Sequence, residues 1–164
     1  MLELRTLGSD DWPLWRELRL AALAEAPHAF GSTLDGWRGS GDREERWRAR
    51  LSIPGAHRLV AFLDGLPAGM ASGVPDGPER VELISMWVDP TARGQGVDDR
   101  LIRAAERWGR TRGARRLRLS VMPDNDEAAA LYERNGFADT GESGKPLADG
   151  VRGERVMAKS LTPG

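Results

Sequence analysis

The residues after Met1, LELRTL at 2–7, alternate between apolar and polar, as a strand with one buried face does. The period then lengthens. Trp15, Leu18 and Ala22 recur at helical spacing, which predicts a helix running to about Glu25 with Ser9 or Asp10 as its cap. Residues 26–41 are rich in Gly, Pro and Ser and predict a loop. Residues 42–51, DREERWRARL, predict a short charged helix. Two strand patterns, 57–63 and 66–74, flank Asp64-Gly65, a dipeptide suited to the positive φ of a tight hairpin. PDGP at 75–78 predicts another turn. Residues 80–88, RVELISMWV, are the most apolar strand and belong at the centre of a sheet; Pro90 ends it.

Helical spacing returns at Leu101, Ala104, Ala105 and Trp108, in a helix from about Val97 to Arg112 with Gly113 as its stop. RLRLSVM at 116–122 alternates as a strand. Asp124 and Glu127 have the spacing of a capping box, opening a helix that ends at Gly136. Residues 137–160 hold two more strands around a Gly/Pro-rich turn at 144–150. The order is β-α-α-β-β-β-α-β-α-β-β, an α/β chain. The strand–helix–strand run from 80 to 122 predicts one parallel crossover inside a mixed sheet.

Composition narrows the function classes. The 164 residues predict one domain spanning 1–164, and 40% hydrophobic with 30% charged residues is the balance of a soluble globular protein. No apolar run approaches the roughly 20 residues of a membrane span, and the start has no basic or apolar leader pattern, so a membrane partner is not expected. The absence of cysteine excludes disulfides, thiolate metal sites and a cysteine nucleophile, and fits a cytoplasmic location. His28 and His57 stand far apart in the chain, so no metal is expected. A net charge of -1 argues against nucleic-acid binding. Nine arginines lie between Arg93 and Arg118 against Asp98, Asp99 and Glu106; most read as a solvated helix face. The Arg/Trp mixture at 37–50 is interleaved with Asp42, Glu44 and Glu45, as on a surface helix. No G-x-S-x-G elbow marks a serine hydrolase.

The chemistry concentrates in Val88-Asp89-Pro90-Thr91-Ala92-Arg93-Gly94-Gln95-Gly96-Val97, which joins the central strand to the long helix. Two glycines let the backbone approach a ligand, and the unpaired N–H groups of the helix start, with its dipole, favour an anion. A pyrophosphate suits such a turn, with Arg93 adding positive charge. It is not a Walker loop, since no Gly-Lys-Ser/Thr follows, and it lacks the third glycine of a dinucleotide fingerprint.

The stretch ELISMWVDPTARGQGV resembles motif A of the GNAT acetyltransferase superfamily, with Arg93 and Gly96 as its anchors. Asn125 through Ala130-Leu131-Tyr132-Glu133-Arg134-Asn135-Gly136-Phe137 resembles its motif B, in family order and at a family-like distance. The resemblance implies the GNAT fold: a mostly antiparallel sheet with one parallel βαβ crossover, flanked by helices. One position departs. The family pattern has Gly or Ala where this chain has Asp98, whose charge would crowd and repel a pyrophosphate. At 4 Å the repulsion of two unit charges is about 1 kcal/mol in water and about 4 kcal/mol at an effective dielectric of 20, unless the carboxylate rotates away or toward Arg93 or Arg100.

The resemblance further implies direct attack of an amine on the thioester of acetyl-CoA, the acceptor being a small-molecule amine or a peptide amine. Turn amides of Gly94, Gln95, Gly96, Val97 and Asp98 would hold the donor phosphates. Main-chain groups of Met86, Trp87 and Val88 would hold the pantetheine arm, from a stretch of strand that splays from its neighbour. Tyr132, the only tyrosine, occupies the motif B position of a general acid; the same place also suits a core ring. Glu82, the sole acid in VELISMWV, is a candidate for the base, with Asp35, Glu44 and Glu45 as alternatives. Asn125 matches the cofactor-contacting asparagine and equally a helix cap. The acceptor site would be built by 26–48 and the late strands, with Phe30, Trp37 and Trp47 as candidate walls. A homodimer is a family-level expectation. The alternative function is a non-catalytic CoA-sensing or partner-binding module of the same fold, its donor site weakened by Asp98.

Overall fold

The computed structural model of the chain describes residues 1–25, 35–146 and 153–161. Its strands are β1 (Leu2–Leu7), β2 (His57–Leu63), β3 (Leu66–Pro75), β4 (Arg80–Val88), β5 (Arg116–Val121), β6 (Ala138–Pro146) and β7 (Gly153–Ser160). Its helices are α1 (Trp12–Glu25), α2 (Glu44–Leu51), α3 (Val97–Thr111) and α4 (Asp126–Arg134). The element order is the expected one.

The strands form one sheet in the order β1-β2-β3-β4-β5-β7-β6, which puts the apolar β4 at its centre. Every neighbouring pair is antiparallel except β4 and β5, joined through α3 as the parallel crossover. The β2–β3 hairpin turns through Asp64 and Gly65 at φ 53° and 84°, the pair of positive values that a two-residue turn of this hand requires.

Alternation along the strands sorts side chains to two faces. Leu59, Ala61, Ala71, Val81, Leu83, Leu117 and Leu119 join Leu101, Ile102, Ala129, Tyr132 and Phe137 in an aliphatic core under α3 and α4. Val60, Phe62, Met70 and Trp87 face the other way and pack with Trp15, Leu18, Trp37 and Trp47 beneath α1 and α2. α3 lies close on the sheet because β3 supplies two glycines there. A Cβ on Gly69 would stand 3.2 Å from the Val97 side chain, and one on Gly73 would stand 2.3 Å from the Trp108 ring.

Several local expectations need correction. Neither Ser9 nor Asp10 caps α1; a 3₁₀ turn at Ser9–Asp11 precedes it, and the Asp11 carboxylate accepts the Gly8 N–H at 2.8 Å. The segment read as loop contains 3₁₀ turns at Asp35–Trp37 and Gly39–Gly41, while 26–34 lie outside the described residues, as do 147–152 of the late turn. The cap of α4 is Asn125 rather than Asp124: its side-chain oxygen accepts the Ala128 N–H at 3.1 Å. No helix among the described residues is long and apolar enough to cross a membrane.

Candidate active site

The site begins with an irregularity in β4. Ser72 faces Ile84 on the neighbouring strand and Met70 faces Trp87, so two steps along β3 match three along β4. The extra residue is a bulge, and Ser85 sits in it at φ 55°, a conformation that costs a non-glycine residue about 1–3 kcal/mol. The bulge flips the alternation: Leu83 and Val88 both face the α3 core, although five positions separate them, and Trp87 turns to the α1 face.

On its other side β4 leaves its partner. β4 and β5 pair only through Arg80–Arg116, Val81–Leu117 and Glu82–Arg118. Beyond Glu82 the ladder stops and the strands part, so Met86, Trp87 and Val88 have no pairing partner on β5. The expected splay is present, and Glu82 stands at its vertex, half-buried.

The chain then turns into α3. Asp89 steadies the turn by accepting the N–H of Thr91 at 2.9 Å and its hydroxyl at 2.6 Å. Gly94 and Gly96 lie at φ 78° and 81°, and a Cβ at either would meet nothing within 4 Å. These glycines are kept for backbone conformation, and the surface beside them is open. Gly96 caps α3 without a side-chain bond. Among the described residues no acceptor engages the N–H groups of Gly94, Gln95, Gly96, Val97 and Asp98. An open helix start with unengaged donors fits a phosphate group.

Asp98 accepts the Asp99 N–H at 2.8 Å, and its other oxygen lies 3.8 Å from Arg134 on α4. The carboxylate turns toward neither Arg93 nor Arg100. Arg134 also bonds Asp99 at 3.2 Å, which in turn accepts Asn135 at 3.1 Å, so the start of α3 is tied to the end of α4.

The positive charge of Arg93 is held in place by an ion pair. Its Nη2 reaches both oxygens of Glu25 at 3.0 Å, and its Nε donates to the Val88 carbonyl at 3.2 Å. Glu25 also accepts the Trp87 indole N–H at 3.0 Å. One carboxylate at the end of α1 thus ties down both β4 and the turn. Nothing local in the sequence marks Glu25; it is simply the last residue of an amphipathic helix.

Tyr132 lies in the aliphatic core, 8% exposed, with its ring edge-on to Phe137 at 5.7 Å between centroids. Burial, and after it the charge of Asp98, push its phenol well above the ordinary tyrosine value, so the group is protonated throughout the physiological range. Asn125 acts as the α4 cap through its oxygen.

The alternative acids stand apart from this turn or beyond the described residues. Glu44 pairs with Arg48 at 2.9 Å, and Glu45 lies 3.8 Å from Arg43. The side chain of Asp35 and all of Phe30 and His28 fall outside the described residues. Trp37 and Trp47 pack on each other at 4.4 Å, 7% and 0% exposed, so they are core rings rather than open walls. His57 stacks on Trp108 at 5.5 Å, and among the described residues no group of three His, Asp or Glu side chains is placed to hold a metal ion.

Comparison with known proteins places this geometry. The model of the acetyltransferase (GNAT) family matches residues 15–137, from α1 through the end of α4. An aminoglycoside N(6')-acetyltransferase type 1 of Salmonella typhimurium is 30% identical over 128 residues, covering 65% of this chain and 86% of that protein. Among solved structures, the PaiA N-acetyltransferase of Thermoplasma acidophilum, in complex with coenzyme A, matches with a TM-score of 0.76 at 19% identity, over 98% of this chain and 99% of that one. The ribosomal-protein-S18-alanine N-acetyltransferase of Escherichia coli matches with a TM-score of 0.71 at 21% identity, over 100% and 96%. At these identities the structural likeness is one of fold.

Proposed function

The chain belongs to the acetyltransferase (GNAT) family, and from that premise we propose that residues 1–164 act as one cytoplasmic N-acetyltransferase domain, moving an acetyl group from acetyl-CoA to a primary amine. One observation carries the reading. The unengaged N–H groups of Gly94–Asp98 follow directly on the stretch of β4 that leaves β5, so an anion seat and a free strand edge adjoin. A ligand with a pyrophosphate at one end and an amide-bearing arm at the other fits that pairing. The amides hold the phosphates, and Met86, Trp87 and Val88 offer main-chain groups to the arm.

The step itself is a substitution at the thioester carbonyl. The amine nitrogen forms a bond to that carbon, and the carbon–sulfur bond breaks. Glu82, at the vertex of the splay, accepts the proton that the amine loses. Tyr132 gives its proton to the departing thiolate and regains one from solvent. Holding donor and amine together supplies much of the rate. The acceptor is a small-molecule or peptide amine, in keeping with the aminoglycoside and ribosomal-protein enzymes that the chain resembles.

Asp98 favours a second reading, a coenzyme A-sensing or partner-binding module. Its carboxylate occupies the Asp99 N–H and brings negative charge to the anion seat. Its turn toward Arg134 moderates that charge and supports the catalytic reading. The test is thiol release from acetyl-CoA across a panel of aminoglycosides, polyamines and peptide amines. Amine-dependent release that falls in Tyr132→Phe supports the enzyme. Tight acetyl-CoA binding without release for any amine supports the module.

A further inference from the structure

Beneath α1 and α2 lies a cluster of positive charge that the reaction does not use. Arg58 projects from β2 to the α1 face, as its neighbour Val60 does, and is 1% exposed. Its guanidinium lies 5.4 Å from the Trp15 ring centroid, and its Nη2 donates to the Arg50 carbonyl. Its Nε and Nη1 are buried and have no hydrogen-bond acceptor among the described residues. Ser72 stands directly opposite Arg58 on β3, fully buried, and its hydroxyl is also without a partner among the described residues. Directly paired residues of antiparallel strands share a face, so the hydroxyl and the guanidinium look into the same space.

Arg19 on α1 and Arg50 on α2 complete the cluster. Burial, and after it the charges of Arg50 and Arg19, pull Arg58 down to about 10; burial and the charge of Arg50 pull Arg19 down to about 10, and burial with the charge of Arg46 lowers Arg50. An acid paired with Arg58 would act in the opposite direction. The nearby carboxylates are engaged on the outer side: Asp42 with Arg16 and the Trp47 indole, Asp10 and Glu44 with Arg48. Residues 26–34, which follow α1, contain no Asp or Glu, and the side chain of the next acid, Asp35, lies outside the described residues. A guanidinium does not deprotonate at physiological pH, and a buried charge with unsatisfied donors is strongly disfavoured unless something neutralises it.

We infer that the cluster of Arg58, Arg50 and Arg19 with the Ser72 hydroxyl is an internal binding site for a small monovalent anion of halide size. The anion accepts from Nε or Nη1 of Arg58 and from the Ser72 hydroxyl, and balances the charge that the α1–α2 layer closes over. It is a structural ligand, on the sheet face opposite α3.

The test is thermal unfolding of the full chain in chloride or bromide against gluconate at constant ionic strength, with anomalous diffraction from bromide-grown crystals. The expected result is a saturable rise of Tm with halide, absent in Arg58→Met, and a bromide peak beside the Arg58 guanidinium. Should Arg58→Met fail to fold, Arg50→Gln on the outer edge of the cluster is expected to shift the halide midpoint several-fold upward. Equal Tm values in halide and gluconate with no bromide peak, or a peak-free site filled by water alone, overturn the inference.

Discussion

The two faces of the sheet are built on different principles. The α3–α4 side is aliphatic, with Leu101 and Ile102 at 0% exposure and strand residues that are mostly Ala, Val and Leu. The α1–α2 side gathers Trp12, Trp15, Trp37, Trp47 and Trp87 and buries arginines among them. The first side fixes a helix start against the sheet, as an anion seat requires. The second side covers the sheet with broad rings and long cations, and its charges need partners. In the proposed function the donor sits at the α3 start, on the first side, and Glu25 links the aromatic layer to that turn through Trp87 and Arg93.

Large-to-small substitutions separate the two layers most strongly. Trp47→Ala is expected to cost about 3–5 kcal/mol in denaturant unfolding and to leave the acetyl-CoA affinity of the folded fraction within a few-fold. Leu101→Ala is expected to cost about 2–5 kcal/mol and to weaken donor binding as well, because Leu101 seats α3 on Gly69. Equal effects on binding would erase the distinction. Next in size, Tyr132→Phe is expected to lower kcat on the order of a hundredfold with acetyl-CoA affinity and Tm nearly unchanged. A large loss of stability with proportionate loss of binding would instead mark the ring as structural only.

Asp98→Ala is expected to tighten acetyl-CoA by about tenfold, the equivalent of about 1.4 kcal/mol of relieved repulsion. It also frees the Asp99 N–H and removes the contact with Arg134. The smallest effect concerns the α1–α2 layer in acid. Hydrogen bonds from Arg16 and then Trp47 hold the Asp42 carboxyl down to about 2. A lowered folded-state value gives stability that is present above the unfolded value and lost as pH falls. The Tm gap between wild type and Asp42→Asn should therefore be full at neutral pH and close between about pH 4 and 2.

The fold was legible because its signals are local and periodic. The alternation of 57–63 and 66–74 around Asp64-Gly65, and the helical spacing from Val97, translate directly into the elements observed. The sequence offers both Asp124 and Asn125 as caps of α4, because two side chains capable of capping stand side by side, and backbone geometry chooses Asn125. The turn amides were legible as candidates from two glycines before a helix, and Tyr132 and Glu82 only through the resemblance to the family. The pairing of Arg93 with Glu25 was not, since it joins residues 68 positions apart through side chains alone. The Ser85 bulge carried no glycine or asparagine to announce it, and only the register of β3 against β4 reveals it. Arg19 did leave a trace: it falls on the apolar stripe of α1 with Trp15, Leu18 and Ala22.

The central claim is that the start of α3 binds acetyl-CoA despite Asp98. Calorimetric titration of acetyl-CoA into the wild-type protein addresses it directly. Saturable binding in the micromolar range, at one site per chain, is the expected result. No binding by folded wild-type protein, with binding restored in Asp98→Ala, would contradict the claim and show that the carboxylate closes the donor site.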